Sequence, residues 1–242
     1  CFRNAIYPAY KANREPAPEE LRRQFAHCKA VCAALGLQVL AHTDYEADDL
    51  IGSAIVAART LGHRGIIVSA DKDLSQLLHV GDEQWDYARN QRWGAHGVRA
   101  RHGVDAHQIA DYLALSGDAI DNIPGVPGIG AKTAATLLSH FGDLDSLLAR
   151  VDEVEFLSFR GAKQAAAKLR AHSEAALLYR RITTIACDAP LGEAAPAFHR
   201  GGGAQADLDA VCERLRFGPL TRRRLYAAAG LDYAPPASPD SF

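Results

Sequence analysis

The stretch Tyr45-Glu46-Ala47-Asp48-Asp49-Leu50-Ile51-Gly52 decides the fold, because three carboxylates stand there within four residues at the start of an apolar segment. Apolar residues recur from Ala47 at the spacing of one buried helix face, which predicts a core helix beginning there. The positions on that face are Ala47, Leu50, Ile51, Ala54, Ile55 and Ala58. The three acids then surround the first turn. They either converge on a common point or offset the positive end of the helix dipole.

A second acidic group follows a second apolar element. The run Gly65–Ala70 is short and β-branched, which predicts a buried strand, and Asp71-Lys72-Asp73 follows it directly. A predicted strand over Leu37–Ala41 precedes the Glu46 helix, so residues 37–70 are expected to form a strand, a crossover helix and a parallel strand. Both acidic groups would then lie at the carboxyl ends of parallel strands, where open α/β sheets bind ligands.

The composition limits the class of protein. With 242 residues, 48% apolar and 23% charged, the chain suits one large domain or two small ones. It has neither an apolar run of the ~18 residues that a membrane span needs nor a charged-then-apolar leader, so we expect a cytoplasmic protein. Cys28 and Cys32 are predicted to be small core residues of a helix over residues 18–36. The chain starts at Cys1 and contains no methionine, so we expect further sequence before it.

Two further segments suit nucleic acid. Phe2–Arg14 interleaves aromatic and basic residues, which either stack on unpaired bases and grip phosphates or form a solvated loop. Residues 117–133 form a glycine-rich segment that leads into a predicted helix over residues 131–140. The free N–H groups at the start of such a helix bind a phosphate. A hairpin is predicted over residues 84–93, and further helices over residues 109–115, 161–171, 174–185 and 207–230.

Together these motifs resemble the 5′-nuclease, or flap endonuclease, family, and most closely the N-terminal nuclease domain of bacterial DNA polymerase I and its free-standing relatives. The resemblance runs from Phe2 to about residue 191. The motifs that carry it are Phe2-Arg3, Tyr10-Lys11-x-x-Arg14, Glu46-Ala47-Asp48-Asp49, Asp71-Lys72-Asp73, Gly117-Asp118-x-x-Asp121-Asn122-Ile123-Pro124-Gly125 and Ser158-Phe159-Arg160-Gly161-Ala162-Lys163.

The resemblance implies an α/β fold, with a PIN-like parallel sheet flanked by helices and a helical region after it. The nuclease core would cover residues 1–107, with a helical arch over residues 1–35. The helical region would cover residues 108–235, with a helix-three-turn-helix at residues 117–141, and residues 236–242 would be a disordered tail.

It also implies roles for individual residues. Two divalent cations, magnesium or manganese, would be bound by Glu46, Asp48, Asp49, Asp71, Asp73, Asp118 and Asp121. Lys11 and Arg14 would be catalytic, and a potassium ion would bind the backbone of Val126 and Ile129. DNA would be bound by Arg3, Tyr10, Gly125, Gly128, Gly130, Lys132, Thr133 and Lys163.

The chain departs from the family at its start. The first strand of the family's fold is absent, and so are two family aspartates, one ending that strand and one just before the position of Phe2. If the chain is complete, metal binding is in doubt; if it is a piece, those acids lie upstream.

The charge of the rest of the chain suits DNA. Without the seven acids of the predicted site, the chain has 22 acidic and 27 basic residues, so the remainder can attract a DNA backbone.

We therefore expect a metal-dependent 5′-3′ exonuclease or flap endonuclease that acts on 5′-flap, branched or nicked DNA in replication and repair. The resemblance implies a monomer without membrane contact, associated with the bacterial nucleoid and functionally linked to a DNA polymerase. The alternative is a branched-DNA-binding protein of the same fold that does not cut. A third hypothesis is a phosphatase, since Asp71-x-Asp73-x-Ser75 after a strand faintly resembles the haloacid dehalogenase superfamily.

Overall fold

The computed structural model describes residues 1–192 and 200–233 and has the predicted α/β class. Three short strands are β1 (Ile66–Val68), β2 (Glu83–Asp86) and β3 (Gln91–Gly94). The α-helices are α1 (Phe2–Ile6), α2 (Glu19–Ala34), α3 (Ala47–Thr60), α4 (Ala95–His102), α5 (Ile109–Ser116), α6 (Ala131–Phe141), α7 (Leu144–Ala149), α8 (Ala162–Ala171), α9 (Ser173–Thr183), α10 (Gln205–Arg214) and α11 (Pro219–Ala229). Short 3-10 helices cover Lys72–Leu77, Ala106–Gln108 and Val151–Phe156.

The chain forms two compact units. Unit 1 contains Cys1–Glu15 and His42–Leu191, and unit 2 contains Pro16–Ala41 and the described residues from Gly192 onward. Contacts thus divide the predicted arch over residues 1–35 between the two units and do not separate the chain at residue 107. The sequence-based boundaries stay a prediction, and the predicted tail over residues 236–242 lies outside the described residues.

Helix α3 begins at Ala47, as the spacing of apolar residues predicts. Asp49 stabilises this start, because its Oδ2 accepts a hydrogen bond from the Glu46 N–H at 3.0 Å. Such a reach from the third helical residue back to the N-cap satisfies a backbone donor that a helix start leaves free. Leu50, Ile55 and Ala58 are buried on the predicted face.

The sheet is mixed rather than parallel. β1 pairs parallel with β2, and β2 pairs antiparallel with β3 in the predicted hairpin. The predicted strand over residues 37–41 is wrong, since these residues form no strand and belong to unit 2. β1 is buried only at Ile67, whereas Ile66 and Val68 are 57% and 59% exposed. The reason is that β1 is an edge of the described sheet and only its Ile67 side faces the core.

The helices around the site follow the sequence more closely. The predicted helices over residues 109–115, 131–140, 161–171 and 174–185 correspond to α5, α6, α8 and α9. Their leucine and alanine side chains form the main core of unit 1, in which Leu113, Leu137 and Leu169 are fully buried. The predicted helix over residues 207–230 is instead two helices, α10 and α11. It breaks before Pro219, which has no N–H to continue a helix and sits at the first turn of α11.

The apolar stripe of α2 is not buried as predicted. Leu21 and Phe25 are largely exposed, and so is Cys28, whereas Cys32 is half-buried. In unit 2, α2 packs through its C-terminal end, where Ala34 joins a small core with Leu208, Val211 and Tyr226. The periodicity therefore located the helix but not the neighbours that cover it. Within the described residues, no helix combines the length and apolarity needed to cross a membrane.

The core of unit 1 gives a first prediction. Leu137→Ala should lower the free energy of unfolding by about 2–5 kcal/mol, because it removes a fully buried side chain and leaves a cavity. Urea denaturation followed by the fluorescence of Trp85 and Trp93, both in unit 1, measures this change. The matched control is Phe156→Ala, since Phe156 is 85% exposed. Equal losses in both variants would contradict the assigned core.

Candidate functional site

Acidic residues from three segments of unit 1 influence one another's charge. Burial and then the charge of Asp71 raise the pKa of Asp48. Burial also raises the pKa of Asp73 to about 7; Lys72 opposes the shift, and Asp71, Asp118 and Asp121 add to it. Such couplings require charges near one another in a partly buried place. Ion-pair distances show the same proximity, because Lys11 Nζ is within 4 Å of Glu46 and Asp121, and Lys72 Nζ is within 4 Å of Asp73 and Asp118. The structure therefore brings together the start of α3, the turn after β1 and the loop after α5.

The turn Asp71-Lys72-Asp73 is held by a buried glutamine. Gln84 on β2 donates from Nε2 to the carbonyl oxygens of Ser69 (3.0 Å) and Asp71 (2.6 Å), and its Oε1 accepts from Ser75 Oγ at 2.7 Å. Asp71 Oδ1 accepts the Asp73 N–H at 3.0 Å, which starts the 3-10 helix. Sequence reasoning missed Gln84. Its only signal was a polar residue within a predicted hairpin.

The loop after α5 fixes Asp118 through its backbone. Asp118 and Ile123 exchange two backbone hydrogen bonds of 2.7 and 2.8 Å. Asp118 Oδ1 accepts the Ile120 N–H at 2.9 Å, and Oδ2 accepts from Lys72 Nζ at 2.6 Å. The loop closes where Gly117 meets Gly125: both have positive φ, and a Cβ on Gly125 would lie 2.3 Å from the Gly117 nitrogen. A side chain is excluded there.

Basic and phenolic groups from residues 10–14 sit directly on the acids. Lys11 Nζ lies 2.7 Å from Glu46 Oε1 and 3.8 Å from Asp121 Oδ2, and Arg14 Nη2 lies 2.5 Å from Asp121 Oδ1. Tyr10 donates from its hydroxyl to Glu46 Oε2 at 2.7 Å. Burial and then this bond to Glu46 raise the pKa of Tyr10. Lys11 and Arg14 therefore lie at the acids, where the resemblance implied catalytic groups.

Two side chains near the start of the chain that were predicted to bind DNA are buried in unit 1. Arg3 and Tyr10, which the resemblance implied for DNA binding, are 3% and 4% exposed and bond to protein groups. A buried cation must be paired with a partner, and Arg3 is paired within unit 1. Neither side chain offers a surface that DNA can reach in this conformation.

Asp49 also departs from the expected role of a metal ligand. Arg3 holds it bidentately, with Nη1 to Oδ2 and Nη2 to Oδ1 both at 2.7 Å. The backbone N–H groups of Glu46 and Ala186 occupy the same oxygens at 3.0 and 2.9 Å. Burial acts to raise the pKa of Asp49, but Arg3 and these N–H groups lower it. Asp49 is therefore a charged anchor of the fold, with no free oxygen for an ion.

The remaining acids suit a divalent cation in their chemistry. Carboxylate oxygens are ligands of magnesium and manganese. Asp73 Oδ1 is buried without a hydrogen-bond partner within the described residues, and Lys72 Nζ, at 3.8 Å, is too distant to donate one. In the part of the chain that the structure describes, however, no three His, Cys, Asp or Glu side chains are arranged closely enough to hold an ion. Glu46, Asp121 and Asp118 are paired with Lys11, Arg14 and Lys72 instead.

The glycine-rich loop presents a second, basic surface. Gly128 and Gly130 are exposed before α6, as are Lys132 and Lys163, whereas Gly125 is buried and Thr133 half-buried. Lys168 Nζ lies so close to Gly128 that a Cβ added to this glycine would clash with it. Lys168 was not among the residues predicted to bind DNA. The N–H of Ile129 donates to the Val126 carbonyl oxygen at 2.9 Å. A potassium ion at these two residues stays a prediction.

Comparison with known proteins identifies the family. Residues 1–103 match the family described as 5′-3′ exonuclease, N-terminal resolvase-like domain, and residues 104–205 match 5′-3′ exonuclease, C-terminal SAM fold. The flap endonuclease Xni of Aeromonas hydrophila is 40% identical over 192 residues, which cover 79% of this chain and 69% of that protein.

The chain belongs to the 5′-3′ exonuclease family.

Other relatives of this 5′-3′ exonuclease family member are longer. DNA polymerase I of Rhizobium leguminosarum is 36% identical over 222 residues, which cover 92% of this chain but only 21% of that protein. The chain also spans 24% of the DNA polymerase I of Pseudomonas aeruginosa. It therefore spans about a fifth to a quarter of the polymerases it matches.

Solved structures show the same fold. T5 5′-exonuclease with bound zinc ions superposes with a TM-score of 0.63 at 20% identity, covering 93% of this chain and 77% of that one. The catalytic core of Rad2 in complex with a DNA substrate gives a TM-score of 0.59 at 13% identity, covering 96% and 76%. At such identities the likeness shows the fold alone.

The Arg3–Asp49 pair gives a second prediction. Arg3→Ala should destabilise unit 1 by about 3–5 kcal/mol, because it leaves the Asp49 charge buried without a partner. Urea denaturation monitored by tryptophan fluorescence measures the loss. In the control Arg99→Ala, loss of the solvent-exposed pair with Asp105 should change the stability very little. A loss in Arg3→Ala no larger than in this control would show that the pair does not anchor the fold.

The raised pKa of Asp73 gives a third prediction. Between about pH 4, the ordinary range of the unfolded carboxyl, and pH 7, the folded state holds a proton that the unfolded chain releases. This group therefore makes the metal-free protein less stable as the pH rises through that window, by at most about 1.4 kcal/mol per pH unit. Asp73→Asn lacks this loss, so its free energy of unfolding minus that of the unmodified protein should increase from pH 5 to pH 7.

Urea denaturation in EDTA at several pH values measures this difference. Asp152→Asn is the control, because Asp152 is an exposed carboxylate on the surface of the same unit. The control should follow the unmodified protein at every pH. If the stability of Asp73→Asn shows the same pH dependence as that of the unmodified protein, the Asp73 carboxyl is already ionised in the folded protein at pH 5.

Proposed function

We propose that the chain is a metal-dependent 5′-nuclease that hydrolyses DNA phosphodiesters at 5′ flaps, branches or nicks. The observation that carries this proposal is the convergence of acids from three segments: Lys11 lies within ion-pair distance of both Glu46 and Asp121, and Lys72 of both Asp73 and Asp118. Membership in the 5′-3′ exonuclease family supports it. Replication and repair of DNA, in association with the nucleoid, would be its setting.

Six carboxylates would hold two divalent ions, magnesium or manganese. They are Glu46, Asp48, Asp71, Asp73, Asp118 and Asp121. When bound, the ions supply the Lewis acidity that hydrolysis of a phosphodiester by water requires. Asp49 stands outside this set, because its oxygens are already taken. Gln84 keeps the Asp71 turn in place by holding two of its carbonyl oxygens.

Lys11 and Arg14 would bind the charge of the scissile phosphate. Both now neutralise acids, and an ion at Glu46 and Asp121 would free them. Each side chain is partly exposed, so each can turn toward a DNA backbone without disturbing the packing of the core. A guanidinium and an ammonium are suitable partners for a phosphate, since they present several N–H donors to its oxygens.

The loop before α6 would hold the duplex beside the cut. Its exposed glycines let a phosphate approach the free N–H groups at the start of α6, and Lys132, Lys163 and Lys168 add exposed positive charge. A potassium ion at the carbonyl oxygens of Val126 and Ile129 would fix the loop against DNA. The matches to DNA polymerase I suggest a functional link to a polymerase.

A second candidate function is recognition of branched DNA without cleavage. It is favoured by the pairing of Glu46, Asp118 and Asp121 with lysine and arginine, and by the lack of a compact ligand group among the described residues. In this case the basic surfaces would bind DNA while the acids stay neutralised by the protein itself.

Cleavage of a labelled 5′-flap substrate separates the two candidates. The proposed nuclease should cut in magnesium and not in EDTA. Asp71→Ala should lower the rate at least about 100-fold, because loss of even an outer partner of a metal site costs 10–100-fold. The control Asp152→Ala removes an exposed surface carboxylate and should cut normally.

Binding measured on the same flap completes the experiment. A protein that binds the flap tightly in magnesium but leaves it uncut would support the recognition function. Activity that survives in Asp71→Ala would show that the converging acids do not form the centre of cleavage.

A further inference from the structure

Lys72 lies between acids from two different segments. Its Nζ lies 2.6 Å from Asp118 Oδ2 and 3.8 Å from Asp73 Oδ1. Burial acts to lower the pKa of Lys72, but the hydrogen bond to Asp118 and the neighbouring acids raise it, so the side chain carries a full positive charge here. An ammonium between two carboxylates occupies a position that also suits a metal cation.

The structure does not need Lys72 to hold Asp118 in place. Asp118 Oδ1 accepts a hydrogen bond from the Ile120 N–H. The backbone N–H and carbonyl oxygen of Asp118 are both hydrogen-bonded to the backbone of Ile123. The partner atom of Lys72, Asp118 Oδ2, is therefore presented by the loop itself. Lys72 contributes a charge to this place rather than a support for the loop.

The lysine can also leave. Its side chain is 40% exposed, whereas those of Asp118 and Asp73 are 6% and 18% exposed. A lysine side chain is a flexible stem with a strongly hydrated head, so it can turn into solvent without opening the core. The acids would stay behind as one buried and one half-buried carboxylate, and such a pair favours another cation.

We propose that Lys72 is a built-in counter-ion: its ammonium occupies the place of one divalent ion at Asp118 and Asp73 and withdraws when that ion binds. This inference rests on the proposed metal centre. It accounts for why the acids converge although no three of the described acidic side chains are arranged as ligands. Lys72 thereby stabilises the metal-free protein and weakens its affinity for the ion that replaces it.

The competing interpretation is that Lys72 stays beside the bound ion and fixes its ligands. The two differ in the sign of one measurable effect. A competitor that is removed leaves a tighter metal site, whereas a support that is removed leaves a weaker one. The affinity of the DNA-free protein for manganese therefore decides between them without reference to cleavage.

The experiment titrates the purified 242-residue chain with Mn²⁺ alone, by calorimetry and by the electron paramagnetic resonance signal of free Mn²⁺. Lys72→Gln should bind at least one Mn²⁺ about fivefold or more tightly than the unmodified chain, the lower end of usual coupling between two ligands. Lys72→Arg keeps the positive charge and should bind like the unmodified chain. Lys29→Gln, which removes an exposed lysine on α2, should also bind like it.

Thermal melting guards against a variant that is merely less stable. Lys72→Gln should melt lower than the unmodified chain in EDTA, and added Mn²⁺ should raise its melting temperature by more. Unchanged or weaker Mn²⁺ affinity in Lys72→Gln, with binding intact in the unmodified chain, overturns the inference and leaves the metal centre standing. Absence of Mn²⁺ binding in every variant overturns both.

Discussion

The buried ion pair between Arg3 and Asp49 is the interaction on which the site depends. It joins the first helix of the chain, the start of α3 and the segment 182–186, because Arg3 also donates to the carbonyl oxygens of Ile182 and Thr184. A bidentate pair with all its oxygens and donors satisfied can be held in a core where an unpaired charge could not. With this anchor in place, Glu46 and residues 10–14 meet at one point.

Around this anchor, the remaining acids differ in how their charge is neutralised. Glu46 and Asp121 are paired with Lys11 and Arg14, and Asp118 is paired with Lys72. Burial acts to raise the pKa of Glu46 and of Asp118, but the hydrogen bonds from Lys11 and Lys72 outweigh it and lower both pKa values. Asp48 and Asp73 keep raised pKa values, since burial and neighbouring acids dominate there. This uneven balance is what an added cation would correct, and it assigns different parts to acids that look alike in sequence.

Much of this could be predicted from the sequence where the determinants are local. The helix starts at Ala47 and Ala131, the hairpin at residues 84–93 and the tight loop after α5 follow from periodicity, glycine and proline over a few residues. The predictions of a strand over residues 37–41 and of a buried stripe on α2 were wrong, because each depends on a packing partner that the local sequence does not specify. Leu21 and Phe25 have the right spacing for burial, but among the described residues α2 is covered at its other end, around Ala34.

The sequence by itself determined which segments carry acids, which carry basic and aromatic residues, and which loop needs glycine, since these properties belong to residue types and short spacings. Only the tertiary structure decided that Asp49 anchors the fold, that Arg3 and Tyr10 are buried, and that Lys72 sits between Asp73 and Asp118. The physical reason is that burial and ion pairing are set by groups distant along the chain. A carboxylate becomes an anchor or a candidate ligand according to the cation that folding places against it.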